Sequence, residues 1–134
     1  MTLDISAFEK ALDRLDEGLQ RFRREPEDDQ VRDGLIQRFE FTYELAHKTL
    51  KRFLESQSAT PGEFDTVDFQ ALIRAASEQT LLLRDWPAWR TYRAMRSKTS
   101  HTYDEDVARE VVAGIPDFLE EVRYLRARLR ERLA

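Results

Sequence analysis

A stripe of apolar residues with helical spacing is the feature that most restricts how this chain can fold. Near the N-terminus, apolar positions follow one another at intervals of three and four residues, which places them on one face of an α-helix. They are Ile5, Phe8, Leu12, Leu15, Leu19 and Phe22. A β-strand would turn every second residue to the same face, so this segment predicts an amphipathic helix, with Ser6 as a candidate cap near its start.

The same periodicity continues in the middle of the chain. Pro26 and the acidic residues after it interrupt the first helix, and a second stripe then predicts a long helix from about Asp29 to Ser56. Small and turn-forming residues from Ser56 to Gly62 indicate a loop. A third helix is expected to begin near Asp68.

Two further helices complete the chain. Pro87 suits the first turn of a fourth helix, where its missing N–H group needs no partner. Thr102 and Glu105 have the spacing of a capping box and predict the start of the last helix. Gly114 and Pro116 are expected to kink or split that helix, because proline cannot donate the backbone hydrogen bond.

Together these elements predict an all-α fold, with a single domain over residues 1–134 built as an up-and-down bundle of about five helices. With only four glycines and four prolines, the chain lacks the turns of an all-β fold. The stripes of the two long helices are wider than one small bundle can cover, so we expect these helices to form the core of a homodimer. The chain has no cysteine, which excludes disulfides and thiolate chemistry.

The composition also limits where the protein acts. Hydrophobic residues make up 41% of the chain and charged residues 36%, a mixture typical of a soluble helical bundle. No apolar run approaches the ~20 residues that a membrane span needs. The first residues lack the basic start and apolar core of a signal peptide. We therefore expect a cytoplasmic protein with no membrane partner.

The charge is unevenly distributed. The net charge of −4 argues against nucleic-acid binding by the surface as a whole. Between residues 84 and 98, however, five basic residues accompany a single acid: Arg84, Arg90, Arg93, Arg96 and Lys98. Because salt screens charges beyond roughly 10 Å, such a patch can bind phosphate on an acidic protein, although a solvated helix face has the same composition.

The run from Arg96 to Tyr103 is the candidate for chemistry. Four residues separate Arg96 from His101, and Tyr103 follows as His-x-Tyr. In one unbroken helix Arg96 and His101 would diverge, but a break before Thr102 lets them converge. An arginine binds phosphate oxygens and an imidazole takes a proton, which suits RNA cleavage by the 2′-hydroxyl without metal or cofactor. A second imidazole could come from a symmetry mate. A surface arginine and a histidine near a cap would give the same spacing without function.

Other polar and aromatic residues have two interpretations each. Glu40 and Glu44 share a helix face; they could act as acid and base, bind a partner, or pair with a lysine or arginine. His47 is expected to be a partly buried helix residue rather than a metal ligand. Trp86 and Trp89 could stack on RNA bases or pack in the core or in a dimer interface.

Two segments resemble the HepT-like branch of the HEPN superfamily, whose members are often described as nucleotidyltransferase substrate-binding proteins. The segment from Arg32 to Lys51 is similar to the long second helix of that family. Trp89, followed by Arg96 through Glu105, is similar to its Arg-x4-His-x-Tyr segment. The order and spacing agree from about residue 5 to residue 130.

The resemblance implies an antiparallel helical homodimer whose two motifs meet in one cleft. It implies a metal-independent ribonuclease toxin with Arg96 and His101 as catalytic residues. It also implies a minimal nucleotidyltransferase antitoxin that adenylylates Tyr103, because added bulk and negative charge there would repel the RNA backbone. Further residues of the same region are candidates to support RNA binding: Arg93, Ser97, Lys98 and Thr102.

Two positions depart from the family pattern. Ser97 stands where the family usually has asparagine and is a shorter hydrogen-bond donor, and His47 stands where tryptophan is common, a difference that concerns packing. The alternative functions are a non-catalytic substrate-binding subunit of a two-component nucleotidyltransferase and a purely structural helical dimer.

Overall fold

Five α-helices and two short 3₁₀ turns form the secondary structure of residues 3–134, the part of the chain that the computed structural model describes. The α-helices are α1 (Ser6–Arg24), α2 (Asp29–Ser56), α3 (Phe69–Glu78), α4 (Trp86–Lys98) and α5 (Glu105–Leu133). The 3₁₀ turns are Pro61–Asp65, between α2 and α3, and Thr99–His101, directly after α4. The all-α fold is confirmed, while the first two residues of the predicted domain lie outside the described residues. None of the helices in residues 3–134 combines the length and apolar composition that crossing a bilayer requires.

Buried apolar side chains from all five helices form one cluster. The rings of Phe39 on α2 and Phe118 on α5 meet edge to face with their centroids 4.9 Å apart. Trp89 of α4 is fully buried beside Tyr92 and Phe118. Burial of side chains of this size contributes roughly 2–3 kcal/mol each. The apolar stripes of the sequence therefore become the inner faces of the bundle.

Acidic caps fix the starts of α2 and α3. The Asp28 carboxylate accepts hydrogen bonds from the backbone N–H groups at the start of α2, and Asp68 accepts one of 2.8 Å from the N–H of Ala71. The predicted beginnings of these helices at Asp29 and near Asp68 are thus confirmed. At α1 the prediction of Ser6 as the cap is wrong, because Ser6 is the first residue of the helix and its N-cap is Ile5, without a capping side chain. The N–H of Ser6 donates to Oδ1 of Asp4 at 2.9 Å.

The predicted capping box at Thr102 is wrong. Asp104 caps α5, since its Oδ1 accepts from the N–H of Asp106 at 2.9 Å and of Val107 at 3.3 Å. Asp104 has the extended backbone that an N-cap requires, whereas the Thr102 hydroxyl donates back to the carbonyl of Thr99. The predicted break after α4 is present, but α5 begins two residues later than expected.

Of the kink or split expected at Gly114 and Pro116, the split does not occur. α5 is continuous from Glu105 to Leu133 with Pro116 inside it. Pro116 is exposed, while Ile115 and Phe118 are fully buried on either side, so core packing holds the helix across the missing hydrogen bond. Gly114 lets α4 pack close to α5, because a Cβ at this position would lie only 2.6 Å from Sδ of Met95 on α4.

A buried carboxylate orders the loop that precedes α4. Glu121 of α5 is fully buried and accepts hydrogen bonds from the backbone N–H groups of Leu83 at 2.7 Å and Arg84 at 3.0 Å. Burial raises the pKa of this carboxyl group, while the two backbone donors and the Arg84 guanidinium act in the opposite direction. Glu121 thereby fixes where α4 begins relative to α5.

Ion pairs join α1 to the C-terminal half of α5. Arg123 lies 2.9 Å from Asp16, and Arg126 lies 2.7 Å from Asp13. Arg130 pairs with Glu9 in the same row. Three of the arginines near the end of the sequence are therefore engaged with acidic residues of α1, while Arg128 and Arg132 contact the loop that follows α3.

Candidate functional site

The guanidinium of Arg96 lies in the last turn of α4 and is held against α2. Its Nη2 donates to Oε1 of Glu44, and its Nη1 donates to the hydroxyl of Thr99 at 3.2 Å. Oε2 of Glu40 lies 3.7 Å from Nη1. The hydrogen bond to Glu44 raises the pKa of Arg96, so the side chain stays fully charged. Of the interpretations offered for Glu40 and Glu44, pairing with an arginine of another helix is the arrangement present.

Thr99 connects Arg96 to Glu40. Its Oγ1 lies 2.7 Å from Oε2 of Glu40 and 3.2 Å from Nη1 of Arg96. A hydroxyl has one proton to donate and can accept at the same time. The guanidinium therefore donates to Thr99, and Thr99 shares its proton between the Glu40 carboxylate and the backbone carbonyl of Arg96, each 2.7 Å from Oγ1. Such a chain of hydrogen bonds orients the guanidinium plane and polarises each member.

His101 and Tyr103 are on the link between α4 and α5. His101 ends the 3₁₀ turn that follows α4, and its side chain is exposed. Tyr103 is 85% exposed, and the centroid of its ring is 6.2 Å from that of His101. No hydrogen bond joins the His101 and Arg96 side chains within the described residues. The structure therefore places the three motif residues on one short segment, with the imidazole and phenol open to solvent.

The basic patch expected between residues 84 and 98 is partly neutralised by ion pairs. Lys98 pairs with Glu110 of α5, and Arg84 pairs with Asp117 at 3.1 Å. Arg90 lies on the exposed face of α4. The patch consequently has less net positive charge than its composition suggests, and Lys98 is a weaker candidate for contact with an anion.

The other predicted supporting residues have local partners. The guanidinium carbon of Arg93 lies 5.4 Å from the centre of the Phe69 ring, a cation–π distance. The hydroxyl of Ser97 donates to the backbone carbonyl of Arg93, and that of Thr102 donates within its own turn. Ser97 and Arg93 are exposed, so their side chains are accessible even though they do not contact Arg96 or His101.

His47 and the two tryptophans take packing positions. His47 is half-buried, with its ring edge-on to Phe69 at 4.9 Å. Burial, and the positive charges of Arg93 and a neighbouring lysine, lower the pKa of His47. Trp89 is fully buried and Trp86 is partly buried against the core. The packing interpretation therefore holds for Trp89, which no base could reach.

An open depression lies beside the motif. It has a volume of about 400 Å³, with walls from α2 and from the link after α4. Its lining residues are Asp33, Gly34, Ile36, Gln37, Glu40, Thr99 and Thr102. The hydrogen bond between Thr99 and Glu40 could not be predicted from the sequence, because the two residues are 59 positions apart and no spacing rule joins them.

The geometry provides three kinds of chemical group at one end of α4. A charged guanidinium can bind an anion, an exposed imidazole can exchange a proton, and an exposed phenol can be modified. Within residues 3–134, no group of three or more Asp, Glu and His side chains could hold a metal ion.

Known proteins are similar to this chain over most of its length. The family model described as nucleotidyltransferase substrate binding protein like matches residues 3–131. A Haemophilus influenzae protein named Probable ribonuclease HepT is 41% identical over 99 residues, which span 74% of this chain and 67% of that protein. The solved structure of HI0074 from Haemophilus influenzae, described as the fold of a substrate binding domain of a nucleotidyltransferase, is similar with a TM-score of 0.88 and 32% identity. It covers 95% of this chain and 99% of its own. These similarities confirm the resemblance that the sequence indicates.

Proposed function

The chain belongs to the nucleotidyltransferase substrate binding protein like family, and on that premise we propose that it is a metal-independent ribonuclease of a toxin–antitoxin pair. The observation that carries this proposal is the placement of Arg96 and His101 on one segment at the end of α4, with the imidazole exposed. The similarity to the protein named Probable ribonuclease HepT supports it. Such a toxin would act on RNA in the cytoplasm.

In the proposed reaction, His101 takes the proton of an RNA 2′-hydroxyl. The 2′-oxygen then forms a bond to the adjacent phosphorus, and the bond from phosphorus to the 5′-oxygen breaks. The 5′-oxygen leaves with a proton from a second imidazole, and the products are a 2′,3′-cyclic phosphate and a 5′-hydroxyl. Arg96 binds the non-bridging oxygens, whose charge increases in the transition state. RNA supplies its own nucleophile, so the protein has to provide a base, an acid and a group that binds the phosphate anion.

A homodimer would supply the second imidazole. Phe41 on α2 is 49% exposed and lines an open, mainly apolar depression of about 300 Å³ between α1 and α2. Leu45, Ala7 and Ala11 line the same depression, and so does Glu44, which contacts Arg96. Large apolar side chains exposed together favour association. A second copy on this face would lie next to the motif of the first.

Tyr103 is the proposed site of control. Its exposed phenol could attack the α-phosphate of ATP held by a partner minimal nucleotidyltransferase, losing its proton and releasing pyrophosphate. The attached AMP would add bulk and negative charge two residues after His101, where an RNA phosphate would have to bind. The 85% exposure of Tyr103 supports this assignment, because transfer requires an accessible oxygen.

The second candidate function is a non-catalytic substrate-binding subunit of a two-component nucleotidyltransferase. The family description and the similarity to HI0074 favour it. In that function, the exposed link from His101 to Tyr103 would be presented to the transferase without cleaving RNA.

Cleavage of total RNA by the purified protein in EDTA tests the nuclease. Wild type should cleave, while His101→Ala and Arg96→Ala should each lose activity by about 10²-fold or more. Arg74→Ala, at an exposed arginine of α3 outside the basic patch, is the matched control and should retain activity. If wild type cleaves no more RNA than His101→Ala, the nuclease proposal is wrong.

Two further measurements address assembly and control. Light scattering should give the mass of a dimer for wild type, and Phe41→Glu should shift it toward a monomer. After co-expression with the neighbouring nucleotidyltransferase, intact-mass analysis should show steps of ~329 Da, one AMP each, that vanish in Tyr103→Phe. Mass steps in a protein that cleaves no RNA would support the substrate-binding alternative.

A further inference from the structure

Two of the five N–H groups of Arg96 already have partners. Nη2 donates to the Glu44 carboxylate, and Nη1 donates to Thr99. A guanidinium binds phosphate best through two parallel N–H groups. A phosphate that binds the edge formed by Nη1 and Nη2 therefore competes with Glu44 and Thr99 for the same nitrogen atoms.

The two carboxylates near Arg96 are not equivalent. Glu40 contacts it through the Thr99 hydroxyl, because its own oxygen is 3.7 Å from Nη1, beyond hydrogen-bond distance. The Glu40 side chain is 32% exposed and is anchored by Thr99 at 2.7 Å. Glu44 contacts Nη2 directly, and its side chain is 46% exposed at the rim of the α1–α2 depression. Glu44 is thus the partner that solvent and ligands reach more easily.

The exchange of Glu44 for a phosphate is energetically reasonable. Ion pairs with this degree of exposure change an equilibrium by about two- to fivefold, because water screens the charges and long side chains lose freedom. A phosphodiester offers two oxygens to the same guanidinium and can compensate for that loss. The Nη1–Thr99–Glu40 chain does not involve Nη2, so it can remain while Glu44 leaves.

We propose that Glu44 is a built-in competitor of the RNA phosphate at Nη2 of Arg96, whereas Glu40 and Thr99 are positioning residues that keep the guanidinium oriented. This inference rests on the proposed ribonuclease function and assigns a control of RNA affinity to one α2 side chain. In the RNA-free protein Glu44 holds Arg96 on α2. When RNA binds, the phosphate replaces the carboxylate, and the positioning chain stays in place.

Binding of a fluorescein-labelled, fully 2′-O-methylated, mixed-sequence oligonucleotide separates affinity from cleavage, since this probe has no 2′-hydroxyl to react. Glu44→Gln keeps the shape and removes the charge, so its Kd by fluorescence anisotropy should fall about two- to fivefold below that of wild type. Glu55→Gln is the matched control. It makes the same substitution on α2, eleven residues beyond Glu44 and away from the depression beside the motif, and its Kd should change by less than half as much. An equal change in both variants, or none in Glu44→Gln, overturns the inference.

Cleavage kinetics test the positioning residues. Thr99→Val and Glu40→Ala should each lower kcat about tenfold with KM within about twofold, because an oriented donor matters most in the transition state. Glu40→Gln keeps an acceptor for the Thr99 hydroxyl and should recover part of the loss. The double variant should be no slower than either single one, since both break the same chain. Additive losses, or equal changes in KM, would show a merely structural role.

The outcomes keep the inference apart from the nuclease proposal. Suppose that wild type cleaves RNA through His101 but Glu44→Gln binds the probe as wild type does. The proposal that Glu44 competes with the phosphate is then wrong, and the ribonuclease proposal is unaffected. If wild type binds the probe and cleaves nothing, the nuclease is wrong and the Kd of Glu44→Gln still decides the inference. If wild type does not bind the probe, both fail.

Discussion

The phenolic hydroxyl of Tyr92 donates a hydrogen bond of 3.0 Å to Oδ2 of Asp117. Tyr92 is buried on α4, and Asp117 lies on α5, so this bond joins the two helices that carry the Arg96–Tyr103 segment between them. Burial, followed by the hydrogen bond to Asp117, raises the pKa of Tyr92. The hydroxyl therefore remains protonated and continues to donate well into the alkaline range.

Replacement of Tyr92 by phenylalanine tests the contribution of this hydrogen bond between α4 and α5. Tyr92→Phe removes one oxygen and should lower the free energy of unfolding in urea by about 0.5–1.5 kcal/mol, the usual contribution of one such bond. Tyr124→Phe, on the half-buried tyrosine of α5, is the control and should change it by less than about 0.5 kcal/mol. An equal effect in the two variants would mean that the Tyr92–Asp117 bond contributes nothing of its own.

Glu121 should matter far more than the residue before it. Glu121→Ala leaves the backbone N–H groups of Leu83 and Arg84 without their buried acceptor and should cost about 2–3 kcal/mol of unfolding free energy. Glu120→Ala removes only an exposed carboxylate, 3.4 Å from Arg84, and should stay within about 0.5 kcal/mol of wild type. Chemical denaturation measures both. Similar values for the two variants would exclude Glu121 as the anchor of the loop before α4.

The corrected start of α5 makes a prediction that separates two neighbouring residues. Asp104→Ala removes the side chain that caps α5 and should destabilise the protein by about 0.5–2 kcal/mol. Thr102→Ala removes a hydroxyl that only donates within the preceding turn, so we expect less than about 0.5 kcal/mol. Thermal denaturation at pH 7 compares the two. The opposite order would return the capping role to Thr102.

His47 should make stability depend on pH. Its pKa is lowered in the folded protein by burial first, and then by the charges of Arg93 and Lys51. The unfolded chain therefore takes up this proton first, near the ordinary histidine value of about 6.5. The stabilising contribution of neutral His47 is complete above that pH and is lost as the pH falls through the lower, folded value.

Urea denaturation of wild type and His47→Gln at several pH values between 7.5 and 5.5 measures this effect. The stability of wild type relative to His47→Gln should decrease toward acid. His101→Gln, at the exposed histidine, gives the reference for a side chain that folding leaves in solvent. A difference between wild type and His47→Gln that stays constant over this range would contradict the prediction.

The sequence was sufficient for most of the helical architecture. The apolar stripe of α2 and the interruption before it predicted its bounds at Asp29 and Ser56, because periodicity acts over a few neighbouring residues. The start of α5 was misplaced, since Thr102 and Asp104 are both good cap residues and only the backbone shows which one is extended. A kink or a split was expected at Pro116, and the buried residues on either side of it keep the helix continuous.

Only the part of the site that lies within one short segment of the chain was predictable. The spacing of Arg96, His101 and Tyr103 predicted a helix break between the first two, and the structure has Arg96 in the last turn of α4 and the other two on the link that follows. The partners of Arg96 were not predictable, because Glu44 and Arg96 are 52 residues apart and meet through the packing of α4 on α2. Thr99 gave no signal of its own, since a threonine in a turn is common in any helical protein.

The paired arginines of α5 have a consequence for how RNA would approach. Arg123, Arg126 and Arg130 are matched by acidic residues of α1, so that flank has few positive charges to exchange for the counterions of a polynucleotide. Attraction would come from the few cations around the end of α4. Counterion release would then be small, and we expect the affinity to fall only gently as salt is added, with a slope set by a handful of phosphates rather than by all 22 basic residues.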